Sequence, residues 1–509
     1  MREKRFLGTH FVFAALLLAA LAGVCARAQK ALGVFEDHAD VGTVLHAGSA
    51  GFDAAAGSYT VTASGENMWA TADGFHFVWK KVEGDLTLSA TVSFPLGGGN
   101  PHRKAAVIFR QSLDADSAYV DAAVHGVGLT SLQFRAGKGD ATHEIEASLT
   151  APAAVRLEKR GEMVYLYTAG ADGVFRTSGA SIRVGLKGAF YAGIAVCAHD
   201  KDAVEKAVFT HVAFGAPEAQ PEKPRLVSAL EVIPIASTDR RIVHVEVGHF
   251  EAPNWSRDGK WLIVNRDGRI WRLPVEGGEL EEIPTGAETQ CNNDHGLSPD
   301  GTWMAVSDSS QALPGAEHLS SVYVLPAAGG EPRRVTTNSP SYWHGWSPDG
   351  KTLVFAGKRD GDFDIYSIAV EGGAETRLTK AKGLDDGPEY APGGKYIYFN
   401  SERSGHMQIW RMNSDGSEQI QVTTDERNNW FPHISPDGKW MVYVSYEAGV
   451  TGHPANKDVQ LKLMRLEDGV VAGKTSVLTW LFGGQGTMNV PSWSPDSQRL
   501  AFVSYELIP

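Results

Sequence analysis

Ser341-Tyr-Trp-His-Gly-Trp-Ser-Pro-Asp-Gly-Lys351 is one of six versions of a single pattern. The others are Asn254-Trp-Ser-Arg-Asp-Gly-Lys260, His295-Gly-Leu-Ser-Pro-Asp-Gly301, Pro388-Glu-Tyr-Ala-Pro-Gly-Gly394, Pro432-His-Ile-Ser-Pro-Asp-Gly-Lys439 and Pro491-Ser-Trp-Ser-Pro-Asp-Ser497. The shared Ser (Ala391 in one copy) falls at 256, 298, 347, 391, 435 and 494, at intervals of 42, 49, 44, 44 and 59 residues. A period in the forties, built from short strands and Gly-rich turns, is the signature of a β-propeller blade.

One copy shows the physics of the unit. Pro348 presets φ, Asp349 caps the turn and Gly350 takes the positive-φ position, so Pro-Asp-Gly joins two antiparallel strands. Lys351 to Ala356 then alternates as a strand, Asp364 to Val370 gives a third, and Glu375 to Thr379 a short fourth. The last copy stops after two strands, at Arg499 to Tyr505, while Ala229 to Ile235 and Arg241 to Val247 stand spare before the first. These spare runs are expected to complete the last blade and close a ring of six. With its repeated Trp-Ser-Pro-Asp-Gly-Lys motifs, the segment 226–509 resembles the TolB-type six-bladed β-propeller. That resemblance implies fold far more than function.

The chain opens with Met1-Arg-Glu-Lys-Arg, an apolar run from Phe11 to Val24, and Ala26-Arg-Ala28. This is the layout of a secretory signal peptide over residues 1–28, with the mature chain periplasmic or secreted. Val24 stands where a lipidation signal at Cys25 would need a small residue. No other apolar run is long enough to span a membrane, so no transmembrane segment is expected in the mature chain. The leader carries net +3 (Arg2, Lys4, Arg5 and Arg27 against Glu3), so its removal takes the formal charge from -13 to -16. That surface excludes nucleic acid as a partner. Only Cys197 and Cys291 remain, one in each domain, so the fold is expected to rest on its core rather than on a disulfide.

Residues 31–215 lack the repeat. Ten or more short alternating runs, among them Phe75-His-Phe-Val-Trp79, Ala105-Ala-Val-Ile-Phe-Arg110 and Tyr119-Val-Asp-Ala-Ala-Val124, predict an N-terminal β-sandwich in an all-β chain. Their order resembles the concanavalin-like jelly-roll modules attached to glycan-handling proteins. If this domain binds sugar, Trp69, Trp79, Arg110, Tyr119 and His125 are the candidates, since aromatic faces stack on sugar rings. The alternative is that they are core and rim residues. The Pro/Glu-rich segment 216–225 reads as a linker.

Blade topology puts the Pro-Asp-Gly turns on one face and the variable loops on the other. Those loops bring His295, His344, His433, Asp385 and Asp386 toward the mouth of the central channel, as candidate catalytic residues. Asn293, Asp294, Trp343, Trp430, His453, Gln485, Asn489 and Arg403 are candidate ligand-binding residues. His295, His344 and His433 could together hold a divalent metal. They could equally serve acid/base chemistry on a glycosidic bond or beside a uronate, or simply bond neighbouring backbone. No G-x-S-x-G elbow, Walker loop, zincin helix or C-x-x-C occurs.

Two functions are consistent with this pattern. The first is a glycan-active or glycan-binding protein whose channel mouth cleaves a carbohydrate by a lyase or hydrolase reaction. The second is a non-catalytic TolB-like scaffold that docks an envelope protein or peptide. TolB carries a small α/β domain where this chain carries a sandwich, which counts against a shared envelope role. The negative charge counts against a polyuronate substrate.

Overall fold

The computed structural model describes residues 32–311 and 319–509; the expected signal peptide lies outside them. Every regular element among the described residues is a β-strand. The chain divides into two compact units, one ending at Pro217 and the other running from Glu218 to Pro509.

The first unit contains two antiparallel sheets of seven strands each. One runs in the order Asp37–Val41, Phe75–Glu83, Ala189–Cys197, Lys104–Arg110, Tyr119–His125, Thr130–Arg135, His143–Glu146. The other runs Phe175–Arg183, Met163–Ala169, Ala154–Arg160, Leu86–Ser93, Asp200–Gly215, Ser58–Gly65, Ser49–Asp53. Ser58–Gly65 and Leu86–Ser93 pack across onto Phe75–Glu83 and Lys104–Arg110. Of the sugar-binding candidates, Arg110 and Tyr119 are structural. Arg110 donates from Nη1 to Asp73 at 2.7 Å, Arg135 grips the other Asp73 oxygen at 2.7 Å, and all three side chains are fully buried. Tyr119 lies beside both guanidiniums, its ring centre 5.6 and 5.1 Å from them. Trp79 packs on Phe77 inside the same cluster. His125 is tied to Gln133, whose carbonyl oxygen accepts from Lys104, and that ammonium lies over the Trp69 ring. Of these five residues, all but Trp69 are buried.

The second unit is propeller-like, with five blades. Their innermost strands are Phe250–Trp255, Cys291–Leu297, Ser341–Trp346, Asp385–Tyr390 and Asn428–Ile434, and successive ones pack side by side. Four blades have four strands, and the fifth gains another through pairing of Ser476–Gly484 with Ala455–Glu467. A further sheet ties together the ends of the unit. Arg225–Pro234 pairs with Arg499–Ile508 on one side and Arg240–Val247 on the other, and Trp493 bridges to Leu500. This is the pairing expected of the spare runs.

The repeated motif works as a hydrogen-bonded turn. Ser347 Oγ donates to Asp349 Oδ1 and accepts from the Thr352 amide, while Asp349 Oδ1 also accepts from the Lys351 amide. Gly350 sits at φ +69°, the left-handed region a Cβ would strain. The same triangle recurs at Ser256/Asp258, Ser298/Asp300, Ser435/Asp437 and Ser494/Asp496. The Asp349 carboxyl is held below its usual range by the Ser347 hydroxyl and the Lys351 amide. These aspartates are spent on the turns.

Candidate functional site

The innermost strand of every one of the five blades carries a register irregularity. It falls between Glu251 and Asn254, Cys291 and His295, Trp343 and Gly345, Asp386 and Glu389, and Trp430 and His433. A bulge re-aims side chains that strict alternation would send elsewhere. In three blades the residue before the strand's proline adopts a left-handed φ: Ala252 at 55°, Gly387 at 59° and Phe431 at 54°. Side chains from four blades, among them Asn292 to Asp294, His344 and Phe431 at the bulges, line one cavity of about 350 Å³. The second blade contributes Asn292, Asn293 and Asp294, the third Tyr342, His344 and Phe363, the fourth Leu384 and Asp386, the fifth Phe431 and His453; Gln485 and Asn489 complete the wall.

The position of the bulge decides the fate of two histidines at the same motif offset. In the third blade the irregularity falls at His344, which lines the cavity. In the second it spans Asn292 to Asp294, so His295 is back in register opposite Val306. His295 is fully buried, with Nε2 3.4 Å from the Ile263 carbonyl oxygen, and burial takes its pKa down to about 4. His433 is also enclosed. Its Nδ1 lies 2.6 Å from Glu389 and its Nε2 3.2 Å from the Met488 carbonyl. The three imidazoles therefore do not converge as a metal-binding set. Among the described residues no group of three His, Cys, Asp or Glu side chains could hold a metal ion.

Strand alternation separates the two neighbouring aspartates. Asp386 faces the cavity, whereas Asp385 faces away and pairs with Arg403 at 2.6 Å. That guanidinium lies over Phe399 and Trp410, so both Asp385 and Arg403 belong to the blade rather than to the site. Trp343 and Trp430 are buried between blades, Trp430 touching the His453 ring edge to face at 4.4 Å. Trp343 lines a separate cavity with Trp255, Trp346 and Trp493 instead. Asn293, Asp294, His344, Asp386, His453, Gln485 and Asn489 do come together. The sequence reading missed Tyr342, Phe363, Leu384 and Phe431, apolar or aromatic side chains that alternation alone would assign to packing.

The hydrogen bonds fix the polar wall. His344 Nε2 lies 3.1 Å from Asp386 Oδ1, and His453 Nε2 is 3.9 Å from Asp386 Oδ2. The His344 ring stacks on Phe431 with centroids 6.1 Å apart. Asn292 donates to Asp294 Oδ2 at 2.8 Å, and Asn293 to Glu251 at 3.3 Å. Gln485 accepts from Asn489 at 3.0 Å and bonds His453 Nδ1. Among the described residues Asp294 has no ion-pair partner.

Electrostatics drive the two cavity carboxylates apart. Burial raises the Asp294 carboxyl to about 7; the charges of Asp386 and Glu251 add to this, while His344 and the Asn292 hydrogen bond oppose it. Burial also disfavours ionised Asp386, yet the His344 hydrogen bond and the His344 and His453 charges outweigh it and hold Asp386 below the usual carboxylate range. His344 responds in kind. Burial disfavours its imidazolium, but the charges of Asp294 and Asp386 and the Asp386 hydrogen bond carry its pKa above the usual value. Near neutral pH the Asp294 carboxyl is thus poised between its protonated and ionised forms, while Asp386 is ionised. Opposed shifts in a shared cavity are how acid and base roles are divided between like groups.

Residues 317–476 match the family model described as the TolB beta propeller domain. An uncharacterized protein of Agrobacterium fabrum is 49% identical over 279 residues, covering 55% of this chain and 92% of its own length. A solved structure described as a putative TolB from Agrobacterium tumefaciens superposes with a TM-score of 0.53 at 48% identity, over 56% of this chain and 99% of that one. A TolB homolog of Chlorobium luteolum is 27% identical over 135 residues, so the match spans only 28% of that relative. Through its second unit, the chain belongs to the TolB-type β-propeller family.

Proposed function

We propose that the propeller cavity cleaves a glycosidic bond in a small carbohydrate, with Asp294 as general acid and Asp386 as the ionised partner. The observation that carries this reading is the opposed shift of two carboxylates lining one cavity. Hydrolysis of a glycoside needs that pair: one acid to protonate the departing oxygen, and one carboxylate to activate water or attack the anomeric carbon. His344 is a positioning residue, holding Asp386 ionised and oriented. The amides of Asn292, Asn293, Gln485 and Asn489 supply both donors and acceptors, as sugar hydroxyls require.

In this reading the mature chain is exported and periplasmic or secreted, after cleavage near Ala28. The sheet of Arg225–Pro234, Arg240–Val247 and Arg499–Ile508, with the strand piece at Trp493, acts as the sixth blade. The N-terminal unit is a concanavalin-like jelly roll, residues 31–215, joined through the 216–225 linker.

The test is product formation by residues 29–509 on a panel of oligosaccharides and simple glycosides, beside Asp294→Asn and Asp386→Asn. New reducing ends from the wild type, reduced by a factor of a thousand or more in either variant, support the reading. The relationship to TolB homologues favours a second one, a scaffold docking a protein or peptide at the channel mouth. Under it, no glycan is cleaved and both variants keep full partner binding.

A further inference from the structure

The cavity wall is divided chemically. On the side of the second blade and of residues 485–489, the lining side chains are amides and Asp294. On the side of the third to fifth blades lie Tyr342, Phe363, Leu384 and Phe431, with Asp386, His344 and His453 set among them. Tyr342 and Phe363 form a ring pair with centroids 6.0 Å apart, and Phe431 is anchored by His344 and by the Trp430 ring at 5.7 Å. Among the described residues, no Lys or Arg is part of the lining.

Sugar hydroxyls suit the amide side, since each can donate and accept there. They do not suit the other side, where a hydroxyl against Phe363 or Leu384 would lose its hydrogen bonds to water without replacement. A flat apolar group fits that side, because stacking and area burial stabilise it there. A cavity of about 350 Å³ is of the size that holds a small ligand rather than a chain of sugars. A carboxylate or phosphate on the ligand would meet two aspartates, and the two imidazoles of the lining, His344 and His453, already face Asp386.

Resting on the cleavage reading above, we infer that the substrate is an uncharged glycoside of an apolar, ring-bearing alcohol: one sugar on the amide side, its aglycone against Tyr342, Phe363, Leu384 and Phe431. The step balances as a hydrolysis. The bond between the anomeric carbon and the aglycone oxygen breaks, Asp294 delivers its proton to that oxygen, and water supplies the hydroxyl at the anomeric carbon. The proton released by that water restores Asp294, with Asp386 as base or as covalent nucleophile in between.

The experiment compares methyl with benzyl glycosides of several sugars in both anomers, because the two leaving alcohols are similarly basic and differ in the apolar ring. The expected result is kcat/KM for the benzyl glycoside about 10- to 100-fold above the methyl glycoside, as a buried ring warrants. In Phe363→Ala that advantage should collapse to within about 3-fold, through KM. A second variant, Leu384→Ala, reports on the same wall should Phe363→Ala fold poorly. Equal rates on benzyl and methyl glycosides, or an advantage that survives both variants, overturn the aglycone assignment and leave the cleavage reading standing. Faster cleavage of a uronate or a longer oligosaccharide than of the benzyl glycoside also overturns it. No hydrolysis of any glycoside, with folded protein, sinks the cleavage reading and this inference together.

Discussion

His344 Nε2 stands 3.1 Å from Asp386 Oδ1, and the two side chains come from the innermost strands of adjacent blades. A bulge falls at His344, whereas Asp386 keeps its register opposite Asn400, just before the irregularity of its own strand. The contact keeps the carboxylate ionised inside a buried cavity. Removing the imidazole leaves burial as the dominant influence on Asp386, so its pKa should rise toward neutrality. For His344→Ala the acid limb of kcat/KM is therefore expected to move upward from below the usual carboxylate range. The alkaline limb, set by Asp294 at about 7, should also move upward, because the His344 charge that opposes the effect of burial is removed. A pH–rate profile whose acid limb is unchanged would deny His344 its positioning role.

Asp294 gives a prediction about stability with a definite sign. Its folded pKa, about 7, lies above the ordinary 3.8, so the folded state binds this proton more tightly than the unfolded chain. Stability from that preference is present below pH 4 and is lost as pH rises through 7. The rise corresponds to on the order of 4 kcal/mol when fully expressed. Asp294→Asn keeps an acceptor for Asn292 and removes the titration. It should be more stable than wild type at pH 8 by about 2–4 kcal/mol, and equal to it near pH 4. Chemical denaturation at the two pH values measures the difference.

The sequence made the blades legible because the Ser-x-Asp-Gly turn is a local device: its hydrogen bonds link residues two to five apart, so the motif carries its own structure. It also made the side of the channel legible, since blade topology sorts turns from loops. What it could not carry was the local register of the inner strands. His295 and His344 have the same offset from the motif, yet a shift of the bulge buries one and exposes the other to the cavity. Asp385 and Asp386 looked equivalent, and strand alternation gives the first to Arg403. Asp294 gains its raised pKa from burial and from the charges of Asp386 and Glu251 on other blades, none of which is written near residue 294. Phe363 and Phe431 carry no local mark that separates a cavity wall from a core.

Gly296 marks a close approach between the second and third blades. A Cβ there would lie 2.3 Å from the six-membered ring of Trp343, which is itself fully buried. Gly296→Ala must therefore push Trp343 or the strand aside. Overpacking of this kind costs about 1–3 kcal/mol. For a unit of this size that is a fall of roughly 2–12 °C in Tm. Thermal unfolding checks it, and Trp343→Phe, which shortens the ring, should restore part of the loss in the double variant.

His433 and Glu389 provide the contrast to the cavity pair. Glu389 Oε2 lies 2.6 Å from His433 Nδ1, and Oε1 accepts from the Ile434 amide at 3.0 Å. The other ring nitrogen of His433 is 3.2 Å from the Met488 carbonyl, so the imidazole links the fourth blade, the fifth and the segment that follows Ser476–Gly484. Neither residue lines the cavity of Asp294 and Asp386. His433→Ala leaves a buried carboxylate with one backbone donor, and breaking a buried pair in this way costs about 3–5 kcal/mol. His433→Asn would retain a donor and should lose less. The expected outcome is a large fall in the denaturation midpoint for His433→Ala with kcat/KM of the folded protein within about 3-fold of wild type. A variant that keeps its stability and loses turnover would instead move His433 from the frame of the propeller into its chemistry.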